Sequence, residues 1–315
     1  MAKLISFFGS RVEDTIKSWP SSTKEAVRHY LHFQDGKKDF TRTLDSRAVD
    51  QPYWILLPFW LVERFTRNNA HRFSARFMND IIWAQYCLFV FIRMQDDLFD
   101  GHTHSLPLLY AADGFLLEAE RIFLKYFPKN SPFWEIYISS IEGTIFAVAS
   151  ADDLESGSRR SNKKLLSHYG DTAAICNIAA AAVCLKAGKK YSIPRIASFS
   201  NEMMKAGAIV DDLRDMQEDM QRGRFNSAVS YFLPRYRMKA SLMKKNIRLI
   251  TKNIRDHRRV SRLFRTIRRH VNLAERVFSP LVVPAAREYL RSDRRTLKRM
   301  EEFMHWQKTN KILRS

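Results

Sequence analysis

Apolar residues recur at three- and four-residue spacing along almost the whole chain, and strict alternation is hard to find. That spacing predicts helices. Several starts are legible. Ser22-Thr23-Lys24-Glu25 reads as a capping box, and Ser131-Pro132 places proline at a first helical position. Ser161 or Asn162 caps a run that ends near Gly188, and a further run begins after Pro194 and stops around Gly223. The segment from Ser74 to Asp100 predicts a helix of roughly 40 Å at 1.5 Å per residue. Residues 35–50 and 153–163 are polar enough to be loops, and no Gly/Ser linker or internal repeat divides the chain. The expectation is an all-α fold: one domain over residues 1–315, a bundle of long helices with a basic helical portion at 235–315.

Composition narrows the class. Of 315 residues, 45% are apolar and 27% charged, the profile of a folded chain. Ten Gly and ten Pro are too few for a turn-rich β fold. The longest near-apolar stretch, Ile81 to Ile92, is interrupted by Gln85 and falls short of the about 20 residues a bilayer span needs. The opening MAKLISFFGSRVED has too short an apolar stretch for a signal peptide. Cys87, Cys176 and Cys184 form no CxxC pair and sit in apolar surroundings, which predicts buried thiols and a reducing, cytoplasmic setting.

Charge is unevenly placed. The net charge is +20, and Arg235 to Arg299 holds 21 basic residues against 4 acidic ones. Such a block suits nucleic acid, an anionic membrane surface, a phosphorylated substrate, or simply a solvated helix face. No finger spacing, aromatic RNP string or GxxG clamp accompanies it, so no nucleic-acid partner is expected. Ile247, Ile250, Ile254, Leu263, Phe264 and Ile267 interleave it at helical intervals, so the block folds.

The informative residues are acids. Asp96, Asp97 and Asp100 form DDLFD at the end of a very apolar helix; Asp211, Asp212, Asp215, Glu218 and Asp219 form DDLRDMQED near the end of another. Acids at a helix C-terminus oppose its dipole, and like charges one turn apart repel. A hard divalent cation offsets both, since Mg²⁺ prefers one or two carboxylates together with substrate phosphates. Asp96 and Asp100 fall on one helical face, as do Asp211, Asp215 and Asp219. The plainer alternative is a pair of acidic helix ends that form ion pairs with the basic block.

These strings resemble those of the class I isoprenoid synthases, all-α enzymes with two Asp-rich helices facing a central cavity. The squalene/phytoene synthase family is the nearest in pattern. Arg93-Met94-Gln95-Asp96-Asp97-Leu98-Phe99-Asp100-Gly101 follows its first motif, and Leu213 to Asp219 with Arg222-Gly223-Arg224 follows its second. Tyr169, before the small residues Ala173 and Ala174, is a weaker correspondence. The second string, with Gly223 and Asn226 after it, is also similar to that of bacterial large terpene synthases. The chain departs from the family at Asp211, where Asn is usual, and it lacks the family's N-terminal Ser-Phe-Tyr segment. Chain-elongating prenyltransferases carry Arg-Arg-Gly soon after the first string; Gly101-His102-Thr103-His104-Ser105 follows here.

The resemblance implies that Asp96, Asp97, Asp100, Asp211, Asp215, Glu218 and Asp219 hold Mg²⁺, with Mn²⁺ a possible substitute. The metals would grip the diphosphate of an allylic prenyl substrate and stabilise departing pyrophosphate. Arg93, Arg214, Arg222 and Arg224 are candidate diphosphate clamps, and the run Arg159 to Lys164 is another. Counting back from Asp96 puts Phe89 and Gln85 on the side below the metal. Phe89 is either cation-stabilising or plain core; Gln85 either finds a protein partner or touches substrate. His102 and His104 read as loop residues. Three outcomes stay open: prenyl coupling of the squalene/phytoene type, cyclisation of one prenyl diphosphate, or a basic helical binding protein without catalysis. Peripheral contact with anionic membrane is an addition to the first two.

Overall fold

A computed structural model of the chain describes residues 2–37, 52–66, 73–99, 101–150, 162–222, 227–232, 247–254 and 256–312. Every regular element among them is helical. In order they are α1 (Ala2–Ile16), α2 (Ser21–Lys37), α3 (Tyr53–Thr66), α4 (Ala75–Phe99), α5 (Pro107–Leu124), α6 (Pro132–Ala149) and α7 (Asn162–Asp171). There follow α8 (Ile178–Lys186), α9 (Ile193–Arg222), α10 (Val229–Phe232), α11 (Ile247–Asn253), α12 (His257–Phe278) and α13 (Pro284–Ile312). Short 3-10 turns occupy Thr172–Asn177, Lys190–Ser192 and Ser279–Leu281. The all-α expectation holds. The polar segments read as loops lie mostly outside the described residues.

Helix ends follow local chemistry. Pro132 opens α6, and Ser131 Oγ accepts the Phe133 amide at 3.3 Å. Ser74 caps α4 in the same way, taking the Phe77 amide at 3.1 Å. At the Ser22 box the helix opens earlier, at Ser21, because Pro20 already supplies a carbonyl to the Lys24 amide at 3.0 Å. The run from 162 to 188 is not one helix. A 3-10 turn separates α7 from α8, and Gly188 closes α8 at φ +69°, with Lys189 N on Cys184 O at 2.7 Å.

The chain divides into two compact units. The first comprises Met1–Ile141, Ile175–Ile193 and Leu281–Ala286; the second comprises Glu142–Ala174, Pro194–Pro280 and Arg287–Ser315.

In the first unit α4 is the central rod. Asp80 to Leu88 is an unbroken buried run, and a helix with no polar face must be surrounded. It packs along α5 and meets α3 and α8, while α2 covers α5. Ala179 to Ala182 on α8 are all buried, and their small side chains let that helix lie close to its neighbours. At Gly114 of α5 a Cβ would fall 2.5 Å from the Trp19 ring, so this glycine makes room for the indole. Rings stack across the core, Phe8 on Tyr86 at 4.5 Å and Phe127 on Phe133 at 4.3 Å. Asp80, buried on α4, accepts from Arg11 at 2.9 Å and from the Tyr126 hydroxyl at 2.7 Å.

In the second unit α12 has one apolar stripe, Val260, Leu263, Phe264, Ile267, Val271, Ala274 and Phe278, all buried. Asp256 caps it by accepting the Arg258 amide at 2.9 Å. Phe278 meets Phe199 of α9 at 4.6 Å between ring centroids. His270 Nδ1 lies 2.6 Å from Glu202 on α9, whose other oxygen takes Lys205 at 2.8 Å. Arg268 pairs with Glu301, and Arg294 with Glu275, so α12 and α13 run antiparallel.

All three cysteines are free and buried. Burial pushes the Cys176 and Cys184 thiols up to about 12 and Cys87 well above its ordinary value. Among the described residues no helix is long and apolar enough to cross a membrane.

Candidate functional site

The first acid string closes α4. Gly101 takes φ +69°, with its amide on Leu98 O at 3.2 Å and the His102 amide on Asp97 O at 2.8 Å. This is a glycine-dependent helix stop, and it folds the chain back so that His102 arrives beside Asp97. The two neighbouring carboxylates then part. Asp97 turns inward, its side chain only 2% exposed. Tyr30 of α2 donates its hydroxyl to Asp97 Oδ2 at 2.7 Å; Arg93 Nη2 and His102 Nδ1 lie 2.8 and 3.2 Å from Oδ1. Asp96 faces outward, 32% exposed, with Arg93 Nη1 at 3.0 Å. Arg93 thus bridges both acids. Burial, reinforced by the Asp97 charge, pushes the Tyr30 hydroxyl well above its ordinary range, so it remains a donor.

A cavity of about 130 Å³ adjoins Asp97, with Tyr30, His29, His102 and Ser105 in its wall. Ligand pockets for drug-sized molecules run to ~300 Å³ and above, so this space suits a few waters. Below the string, Gln85 finds its partner in the protein. Its Nε2 donates to Ile175 O and its Oε1 accepts from Ala179 N, both at 3.0 Å. The break between α7 and α8 strands these backbone groups, and the buried amide satisfies both. Phe89 stacks on Trp54 of α3 at 4.9 Å.

The second string lies on α9 in the other unit. Asp211 is exposed and pairs at 3.2 Å with Arg214, which is exposed too. Asp212 turns its carboxylate inward. The Tyr169 hydroxyl of α7 lies 3.0 and 3.2 Å from its two oxygens, and the Ser227 amide donates to Oδ2 at 2.8 Å. Burial pushes Asp212 up to about 6; these donors only partly offset it, and the Asp219 charge adds to the rise. A Cβ on Gly170 would stand 2.4 Å from Asn201 Nδ2, so the residue after Tyr169 must stay small for α7 to close on α9. Asp215 and Asp219 are partly exposed. Of the adjacent pair it is Asp212, not Asp211, whose carboxylate turns inward; the i+4 count groups Asp211 with the partly exposed Asp215 and Asp219.

No family model matches this chain, and no curated protein matches it in sequence. Solved structures do. The heptaprenyl diphosphate synthase of Staphylococcus aureus superimposes with a TM-score of 0.66 at 13% identity, over 95% of this chain and 96% of that one. The geranylgeranyl pyrophosphate synthetase of Pyrococcus horikoshii gives 0.66 at 14%, over 96% of each chain. That of Geoglobus acetivorans gives 0.66 at 14%, over 96% and 97%. The fold is that of the isoprenoid synthases. At such identity the likeness carries architecture, not chemistry.

Not every expected site residue is in view. Asp100 and Arg224 lie outside the described residues, as do Arg159 to Ser161 and the side chains of Glu218, Arg222 and 162–164. Among the described residues no three His, Cys, Asp or Glu side chains cluster to hold a metal by themselves. What Asp96, Asp215 and Asp219 offer is partly exposed, hard oxygen donors. That fits Mg²⁺ or Mn²⁺ completed by water and phosphate oxygens better than a closed protein cage. Sequence reasoning missed Tyr30, His102, Asp212 and Ser227 as partners. Only His102 carried a local signal, its place just after the helix-ending glycine.

Proposed function

We propose that the chain is a Mg²⁺-dependent class I isoprenoid enzyme that ionises an allylic prenyl diphosphate and releases pyrophosphate. The observation that carries this reading is the pair of DDxxD strings, one at the end and one in the C-terminal part of a long helix of an isoprenoid synthase fold. In each, the second aspartate is bound by a tyrosine from another helix. Bound Mg²⁺ supplies the charge that stabilises pyrophosphate as it leaves with the electron pair of the C–O bond.

The chain's own residues do the rest. Asp96 with Asp100 on one string, and Asp215 with Asp219 and Glu218 on the other, offer carboxylate oxygens. Asp97 and Asp212 keep those strings in register, and Asp211 is a further outward carboxylate. Arg93, already between Asp96 and Asp97, orients the first string. Arg214, Arg222 and Arg224 are the groups that would bind diphosphate oxygens. Tyr169 acts through Asp212. Phe89 presents an aromatic wall to the cation.

For the fate of that cation, the proposal is coupling of two prenyl chains as in squalene and phytoene synthases. It rests on Arg93 to Gly101 and Leu213 to Asp219, which follow both motifs of that family. The structurally similar proteins are named for making prenyl diphosphates, which makes elongation a direct competitor. The test incubates purified full chain with allylic prenyl diphosphates of several lengths, with and without Mg²⁺ and isopentenyl diphosphate. Pyrophosphate and extracted products are measured together. Coupled product from allylic substrate alone is expected. A cyclised product, or a longer diphosphate only when isopentenyl diphosphate is present, replaces coupling. No release under any condition removes the enzymatic reading.

A further inference from the structure

The basic C-terminal portion contains two kinds of arginine. On α13 Arg291, Arg294, Arg295 and Lys298 are each paired with a carboxylate. Glu288 takes Arg295 at 2.6 Å and Arg291 at 4.0 Å, Glu302 takes Lys298 at 3.8 Å, and Arg294 reaches Glu275. On α12, which holds seven arginines and one glutamate, two are engaged: Arg259 with Asp256, Arg268 with Glu301. The other five, Arg258, Arg262, Arg265, Arg269 and Arg276, are exposed. Among the described residues no carboxylate pairs with any of them. Their spacing of four, three, four and seven residues places them in one row along the side opposite the apolar stripe. From first to last the row spans roughly 27 Å at 1.5 Å per residue.

A row of unpaired like charges on a rigid helix repels itself, and a polyanionic surface relieves that repulsion. We propose that this outer face of α12 docks the protein on an anionic lipid bilayer. Guanidinium groups match lipid phosphates bidentately. The aromatics of α12, Phe264 and Phe278, are buried, so the row offers no ring for a nucleobase to stack on. The choice of lipid over nucleic acid also rests on the proposed function, whose substrate and product carry long hydrocarbon chains that partition into membranes. No large apolar side chain is exposed on α12, so docking is electrostatic and superficial, without insertion.

The experiment is flotation of the full chain with phosphatidylcholine vesicles, with and without phosphatidylglycerol, across a salt series and without prenyl substrate. Binding is expected only with the anionic lipid, and it should fall steeply with salt. Arg265→Ala should weaken it about fivefold, and the Arg262→Glu, Arg269→Glu pair by more than about a hundredfold. Arg295→Ala, on the paired helix, should change it less than about twofold. Circular dichroism confirms that the variants remain folded. Equal binding to neutral vesicles, equal loss from Arg295→Ala, or tighter binding to single- or double-stranded nucleic acid at the same salt overturns the proposal. Since no substrate is present, these outcomes are independent of whether pyrophosphate is released.

Discussion

At the end of α4, Asp97 is bound by Arg93 and by the Tyr30 hydroxyl, with His102 beside it. On α9, Asp212 is bound by the Tyr169 hydroxyl and the Ser227 amide. Both strings turn the second aspartate of a DD pair inward and anchor it with a tyrosine from a distant helix. They differ in what meets the charge. A guanidinium compensates the first carboxylate; neutral donors hold the second, and burial leaves it at about 6. One anchor is thus an ion pair, while the other tolerates a proton. The same sequence pattern produces two electrostatic designs, depending on what the surrounding helices supply.

The sharpest way to break this comparison is to separate outward from inward acids. Asp96→Ala and Asp215→Ala should each lower pyrophosphate release about a thousandfold or more with little effect on melting, because they act on metal and substrate. Activity within tenfold of the parent in either would remove the assignment.

The inward acids should split by sign. Asp97→Asn strips a buried partner from Arg93 and should lower stability by about 2–3 kcal/mol in a denaturant titration. Asp212→Asn should instead raise it by about 1–3 kcal/mol at pH 7.5 in metal-free protein. The folded carboxylate binds its proton up to about 6, against 3.8 for the free group. The parent therefore loses stability as pH climbs from near 4 through 6, and the amide variant should lack that slope. A parallel pH dependence in parent and variant would contradict the neutral-donor account.

Smaller effects test the tyrosines. Tyr30→Phe removes a donor from the buried carboxylate that Arg93 also holds and should cost about 1.5–3 kcal/mol. Tyr169→Phe should cost about 0.5–1.5 kcal/mol, measured below pH 6 where Asp212 is protonated. The glycine pair falls in the same range. Gly101→Ala and Gly188→Ala each force a left-handed residue to carry a Cβ, worth roughly 1–2 kcal/mol. Only the former should also impair pyrophosphate release, because Gly101 sets His102 against Asp97.

Much of the architecture was legible in the chain. Ser74 and Pro132 mark real helix starts, and the near-apolar run after Asp80, broken only by Gln85, announces a rod enclosed on every side. The break between α7 and α8 was not legible, because the alanine-rich stretch suits a continuous helix equally well. Its cause lies partly in Gln85, some 90 residues earlier, which satisfies the backbone groups the break exposes. Both acid strings stood out, yet which carboxylate faces inward did not. Asp211 and Asp212 are neighbours on one helix, and either groups acceptably with Asp215 and Asp219. The decision is made by Tyr169, 43 positions before Asp212, and Ser227, 15 after it. Tyr30 stands 67 positions from Asp97 and is equally invisible to periodicity.

The sealed thiols have a practical use. Cys87, Cys176 and Cys184 are enclosed and resist deprotonation, so a maleimide dye finds little native sulfur to alkylate at neutral pH. A cysteine introduced at an exposed position such as Asn272 would then be the dominant labelling point. Fluorescence from that one dye could follow the basic helix without first removing the native cysteines.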